Sequence, residues 1–148
     1  MASRRQFFRK AAYTTAAVAV PTALWGCSVS TEVSAGMNLA WEERAAQLEG
    51  MGVYTAVAPG PWAEKVGSHV PKVTFNEGEG TMTVFTEHGM AREHWISTIY
   101  VRAGGRVIGL KEFTGDDAEA RATFQVPAGT TDVVAFSYCS LHDTWHDG

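Results

Sequence analysis

The chain has 148 residues, 45% of them hydrophobic and 19% charged, with two cysteines and a formal net charge of −4. That supplies apolar material for one ordinary domain and excludes a disulfide scaffold, a four-thiolate metal site and a disordered charged polymer. No basic stripe marks a surface for nucleic acid, which is not expected as a partner. The charge is unevenly placed. Arg4, Arg5, Arg9 and Lys10 are the charged residues of the first 26 positions; the remainder sets eight basic residues against sixteen acidic ones, a formal charge of −8. A split of this kind gives the N-terminus a separate task.

The chain begins Ser3-Arg4-Arg5-Gln6-Phe7-Phe8-Arg9-Lys10, followed by an interrupted apolar run to Trp25. A basic start before a modest apolar stretch reads as an export signal, and the stretch is too short and broken to span a membrane comfortably. The paired arginines before Phe7-Phe8 resemble a twin-arginine signal, which implies export of an already folded protein to a periplasmic or other extracytoplasmic space. Leu24-Trp25-Gly26-Cys27 resembles a lipobox, although Trp25 fits it poorly. Cleavage without lipidation is the alternative; a lipid on Cys27 would tether the domain to a membrane without spanning it. The expected division is a signal at 1–27, a linker at 28–38 and one domain at 39–148.

Trp41, Ala45 and Leu48 recur at helical spacing and predict a short amphipathic helix ending near Gly50 and Gly52. Ala58-Pro59-Gly60-Pro61-Trp62 predicts a rigid loop. Strand-like runs follow at 70–75, 81–85, 95–102, 106–113, 122–126 and 132–138, separated by turn-forming clusters such as Ala103-Gly104-Gly105. The expected class is all-β, an antiparallel β-sandwich.

Of five histidines, four stand in distinctive contexts. His69 precedes Val70-Pro71 at the expected start of a strand. His88 and His94 flank Gly89-Met90-Ala91-Arg92-Glu93. Cys139-Ser140-Leu141-His142 closes the last strand run. Positions six apart diverge on a helix but converge from a loop. With Cys27 outside the fold, Cys139 has no disulfide partner. Four imidazoles and one thiolate would suit a transition metal and fill five positions of an octahedron, leaving one for a reactant.

The segments His69-Val70-Pro71, Glu87-His88-Gly89-Met90-x-x-Glu93-His94-Trp95-Ile96 and Cys139-Ser140-Leu141-His142-x-x-Trp145 resemble the superoxide reductase family, the neelaredoxins and desulfoferrodoxins. The likeness covers roughly residues 62–146. It implies an immunoglobulin-like sandwich of about seven strands, and a mononuclear iron held by His69, His88, His94 and His142 with Cys139 as axial thiolate. It implies one-electron reduction of superoxide to hydrogen peroxide, with the iron re-reduced by an external donor such as a rubredoxin-like protein. A homo-oligomer is also expected from the family. Two cysteines cannot furnish the extra four-cysteine iron module that some members carry, so the one-iron type is expected. His146 has no counterpart and reads as solvated. Asp143 stands where the family usually has glycine.

The family usually places Glu-Lys directly before the first of these histidines, to attract the anion, help supply a proton and cap ferric iron. Here the text is Glu64-Lys65-Val66-Gly67-Ser68-His69. Either the segment folds back at Gly67 so that Glu64 and Lys65 reach the site, or Lys65 is a surface lysine and Ser68 faces the metal. Two other classes compete. Tyr138-Cys139-Ser140-x-His142 is similar to the copper loop of cupredoxins, electron-transfer proteins with two histidines, one cysteine and usually a weak methionine ligand. A non-catalytic immunoglobulin-type binding module leaves the histidines unexplained.

Overall fold

The computed structural model describes residues 31–148, with side chains from Leu39 onward. The expected signal at 1–27, including Cys27, lies outside the described residues. Helix α1 (Thr31–Glu49) is followed by strand β1 (Val53–Tyr54), a 3₁₀ helix (Gly60–Lys65), a single turn α2 (Val66–His69), and strands β2 (Lys72–Asn76), β3 (Thr81–Thr86), β4 (Ile96–Ala103), β5 (Arg106–Glu112), β6 (Ala120–Gln125), β7 (Val133–Cys139) and β8 (Asp143–His146). Among the described residues no helix is long and apolar enough to cross a membrane.

The strands form the expected β-sandwich. One sheet has the order β1-β8-β7-β4-β5, the other β2-β3-β6. β3 and β6 alternate buried and more open residues along their whole lengths, as strands with one covered face must. Met82, Val84, Ala122 and Phe124 from these strands meet Ile99, Val101 and Ala135 of the larger sheet in the core. Gly104 and Gly105 take φ of 56° and 79° and close the β4–β5 hairpin in two residues, the mirror-image turn whose twist suits paired strands.

β4 does not alternate; six of its eight residues are buried. Its second face is covered too. Ala45 and Leu48 of α1 pack with Tyr100, Val107 and Phe136 on the outer side of the large sheet, and Trp41 packs beside them. Polar groups fasten the same helix. Glu49 Oε1 accepts from Tyr100 Oη at 2.9 Å and from Arg102 Nε at 2.8 Å. Glu42 accepts from Arg102 Nη1 at 2.9 Å and from the Val107 backbone N–H at 2.6 Å.

Four sequence expectations are corrected. Residues 31–38, expected as linker, are helical, because a helix nucleated by the packed Trp41–Leu48 stripe extends at little further cost. The expected loop at 58–62 runs into the 3₁₀ helix, with proline at its start, where a missing N–H costs nothing. His69 ends α2 rather than opening a strand. His146 is half-buried, its ring 5.2 Å from that of Phe136, and burial holds its imidazole below the ordinary value.

Candidate metal centre

Four segments converge at one end of the sandwich. α2 delivers His69, which is 1% exposed. The 87–95 loop delivers His88 and His94 and is pinned by backbone hydrogen bonds between Ala91 and His94 in both directions, at 3.1 and 3.0 Å. β7 delivers Cys139, which is fully buried, and the turn into β8 delivers His142. Ser140 N–H donates to Trp95 O at 3.0 Å and Trp95 N–H to Ser140 Oγ at 3.2 Å, which locks the second segment to the third.

The ligating atoms of His69, His88, His94 and Cys139 all lie within 4.8 Å of one another. His142 joins them through Nδ1, which is 2.9 Å from His69 Nε2, 3.1 Å from His94 Nε2 and 3.4 Å from Cys139 Sγ. His88 Nε2 is 3.1 Å from His94 Nε2 and 3.8 Å from the sulfur, and His94 Nε2 is 3.1 Å from it. Metal–nitrogen bonds of about 2.1 Å at right angles place neighbouring nitrogens about 3.0 Å apart, and a sulfur at about 2.3 Å lies about 3.1 Å from each. The three nitrogen–nitrogen edges and the His94–sulfur edge match, while the His142 and His88 edges to sulfur are longer, at 3.4 and 3.8 Å; these residues can hold one metal ion. All five residues expected as ligands are brought together.

The environment keeps the donors ready for a metal. Burial, then the neighbouring His88 and His142, push the His69 imidazole down to about 3. Burial is also the main cause lowering His88 and His142, with the Lys65 ammonium adding to both. Neutral imidazoles offer the lone pairs a metal needs. Burial raises the Cys139 thiol, and the backbone N–H groups of Leu141 and His142 pull against it. Those N–H groups would stabilise a thiolate once a metal displaced the proton.

Partners around the rings orient them. His69 Nδ1 lies 2.9 Å from Ser68 Oγ and 3.2 Å from Lys65 O, and His88 Nδ1 meets Gly89 O. Trp145, fully buried, donates to His142 O at 2.9 Å and stands 5.7 Å from the His69 ring, so it shields the site as core packing. Trp95 donates to Phe113 O at 3.2 Å.

Glu64 and Lys65 lie in the 3₁₀ helix that leads into His69. Glu64 is exposed and Lys65 half-buried. The Lys65 charge is felt at His88, Cys139 and His142, and that of Glu64 at His142. The fold-back at Gly67 is helical; Gly67 does not take a positive φ. Two residues near the site escaped the sequence reading. Trp62 stands edge-on to His142, ring centroids 4.8 Å apart, and its place in a Pro-Gly-rich stretch gave no sign of this. Gly115 lies beneath the 87–95 loop, where an added Cβ would come within 2.5 Å of the Ala91 backbone.

Comparison with known proteins leads the same way. The desulfoferrodoxin family model matches residues 62–148, more than half of the chain and all five converging donors. The fold is similar to that of a superoxide reductase (neelaredoxin) from Ignicoccus hospitalis, at 25% identity and TM-score 0.51 over 68% of this chain and 91% of that one. It is similar to the superoxide reductase of Treponema pallidum, at 24% identity and TM-score 0.51 over 58% and 70%. It is also similar to the one-iron superoxide reductase of Giardia intestinalis, at 22% identity and TM-score 0.50 over 54% and 94%. Comparison with curated proteins gives no match. A two-sheet sandwich, a converging set of histidines and one cysteine, and a family match across all of them have one reading: the chain belongs to the desulfoferrodoxin family.

Proposed function

We propose that this protein is a superoxide reductase, which converts superoxide to hydrogen peroxide with one electron and two protons. The observation that carries the reading is the convergence of four imidazole nitrogens and one buried sulfur at edges of about 3 Å. His69, His88 and His94 through Nε2, His142 through Nδ1 and Cys139 through Sγ would hold a mononuclear iron. When bound, iron supplies one-electron chemistry between its ferrous and ferric states.

The chain's own residues do the rest. Burial favours the neutral form of His69, His88 and His142. Leu141 and His142 N–H groups steady the negative sulfur. Lys65 supplies the positive charge that draws an anion toward a protein that is otherwise acidic, and it is a proton source beside the site. Glu64, exposed one residue earlier, is the carboxylate that would be available to a bound iron. Electrons come from an external carrier protein. The export reading of the first 27 residues places this chemistry outside the cytoplasm, after metal loading inside it, with Cys27 as the candidate lipid anchor. A homo-oligomer goes with the family reading.

The deciding experiment combines metal analysis with a superoxide-consumption assay that scores peroxide formed. One iron per chain and a peroxide-to-superoxide ratio near one with a donor present are expected. A ratio near one half would mean dismutation. An intense blue band with a copper EPR signal would replace the assignment by copper electron transfer.

A further inference from the structure

Asp143 opens β8 and pairs with Cys139 across the β7–β8 turn. Its φ is 61°, in the left-handed region that aspartate tolerates and β-branched residues do not. From there Asp143 Oδ2 accepts a hydrogen bond from Trp62 Nε1 at 3.3 Å. Both side chains are half-buried. Trp62 also presents its ring edge-on to His142. It belongs to the 3₁₀ helix that carries Glu64 and Lys65, and its backbone there departs from helical values, at φ −112° and ψ 34°. The helix is kinked at this residue. Trp62 N–H donates to Pro59 O at 3.0 Å within the segment, and the bond to Asp143 ties the same residue to the β7–β8 turn.

We propose that Asp143 is a positioning residue whose carboxylate latches the Gly60–Lys65 helix to the arm bearing Cys139 and His142, and so sets where Glu64 and Lys65 stand over the site. The roles of Glu64 and Lys65 rest on the superoxide reductase reading; the latch does not. The β7–β8 turn therefore does two things at once. It aims a sulfur and an imidazole inward, and it holds the neighbouring segment that brings charge to them.

Three variants of the full chain, loaded with iron, separate the hydrogen bond from charge and from backbone strain. Asp143→Gly keeps the left-handed backbone and removes the latch. Asp143→Asn keeps both an acceptor oxygen and tolerance of that backbone, and removes the charge. Trp62→Phe keeps a ring against His142 and removes the donor. Hydrogen exchange of peptides covering residues 60–66 should quicken about fivefold in Asp143→Gly and Trp62→Phe, and stay within about twofold of the parent in Asp143→Asn. The ionic-strength dependence of the superoxide reaction should flatten in the first two and persist in the third. Unchanged exchange in Asp143→Gly overturns the latch, and so does an Asp143→Asn variant that exchanges as fast as Asp143→Gly. A parent protein that exchanges slowly at 60–66 but fails to consume superoxide would sink the enzymatic reading and leave the latch standing.

Discussion

The backbone carbonyl of Lys65 lies 3.2 Å from Nδ1 of His69, one helical turn further along the chain. The Glu64-Lys65 pair is displaced from the histidine in sequence, yet the intervening residues wind into that single turn and bring Lys65 back beside it. In the tautomer whose Nε2 lone pair faces the other donors, Nδ1–H donates to this carbonyl, with Ser68 Oγ 2.9 Å away. One residue thus orients a ligand with its main chain and lends charge with its side chain.

These two contributions come apart in Lys65→Ala. The carbonyl remains, so iron content should not change. The ammonium is gone, so the second-order rate with superoxide should fall about tenfold at low ionic strength and converge with the parent as salt is raised. Pulse radiolysis across a salt series measures both. Identical rates at every salt concentration would remove Lys65 from substrate capture.

Gly115→Ala should injure the site from beneath. The new methyl group would lie 2.5 Å from the Ala91 carbonyl and from Cα of Arg92, in the loop that presents His88 and His94. Backbone cannot rotate away as a side-chain tip can. Overpacking of this kind costs about 1–3 kcal/mol. Urea denaturation should show that loss, and competition with a chelator should show weaker iron binding.

Acid should loosen the metal-free protein. Its His69 titrates at about 3, against an ordinary 6.5, because burial and then the neighbouring imidazoles oppose the charge. Below about 6.5 the unfolded chain binds the proton that the folded chain refuses. The stability that His69 contributes is therefore intact above that pH and declines steadily as pH falls toward about 3. The lowered His88 and His142 act in the same direction. Denaturation midpoints measured across this range should decrease with acidity, and a His69→Gln variant should show a shallower slope.

The helix ahead of the family domain should matter for stability and not for chemistry. Tyr100→Phe removes one hydrogen bond to Glu49, at about 1 kcal/mol. Arg102→Ala strands Glu42 and Glu49 together beside the sheet and should cost about 2–3 kcal/mol. Iron content and the superoxide rate should hold in both. A loss of iron would mean that α1 supports the site as well as the sheet.

The strands were readable where their burial is one-sided. β3 and β6 carry the period of two, and their β-branched and aromatic runs predict their extents closely. β4 reads only loosely, because α1 covers its outer face and two register shifts interrupt its pairing. β1 and β8 have two and four residues, too few for any pattern to show. The helical 60–69 segment was hidden by Pro-Gly chemistry that also suits a loop. The five converging donors were legible because His and Cys stand there in short, distinctive motifs. Trp62, Gly115 and the tie to Asp143 were not, since each acts through a contact across the chain.

His142 is the one imidazole that approaches through Nδ1, the nitrogen nearer its own main chain, while its three companions reach inward with Nε2. A short reach demands close backbone. The stretch from Cys139 to His142 is consequently a fixed-length caliper: one inserted residue would separate sulfur from nitrogen beyond repair.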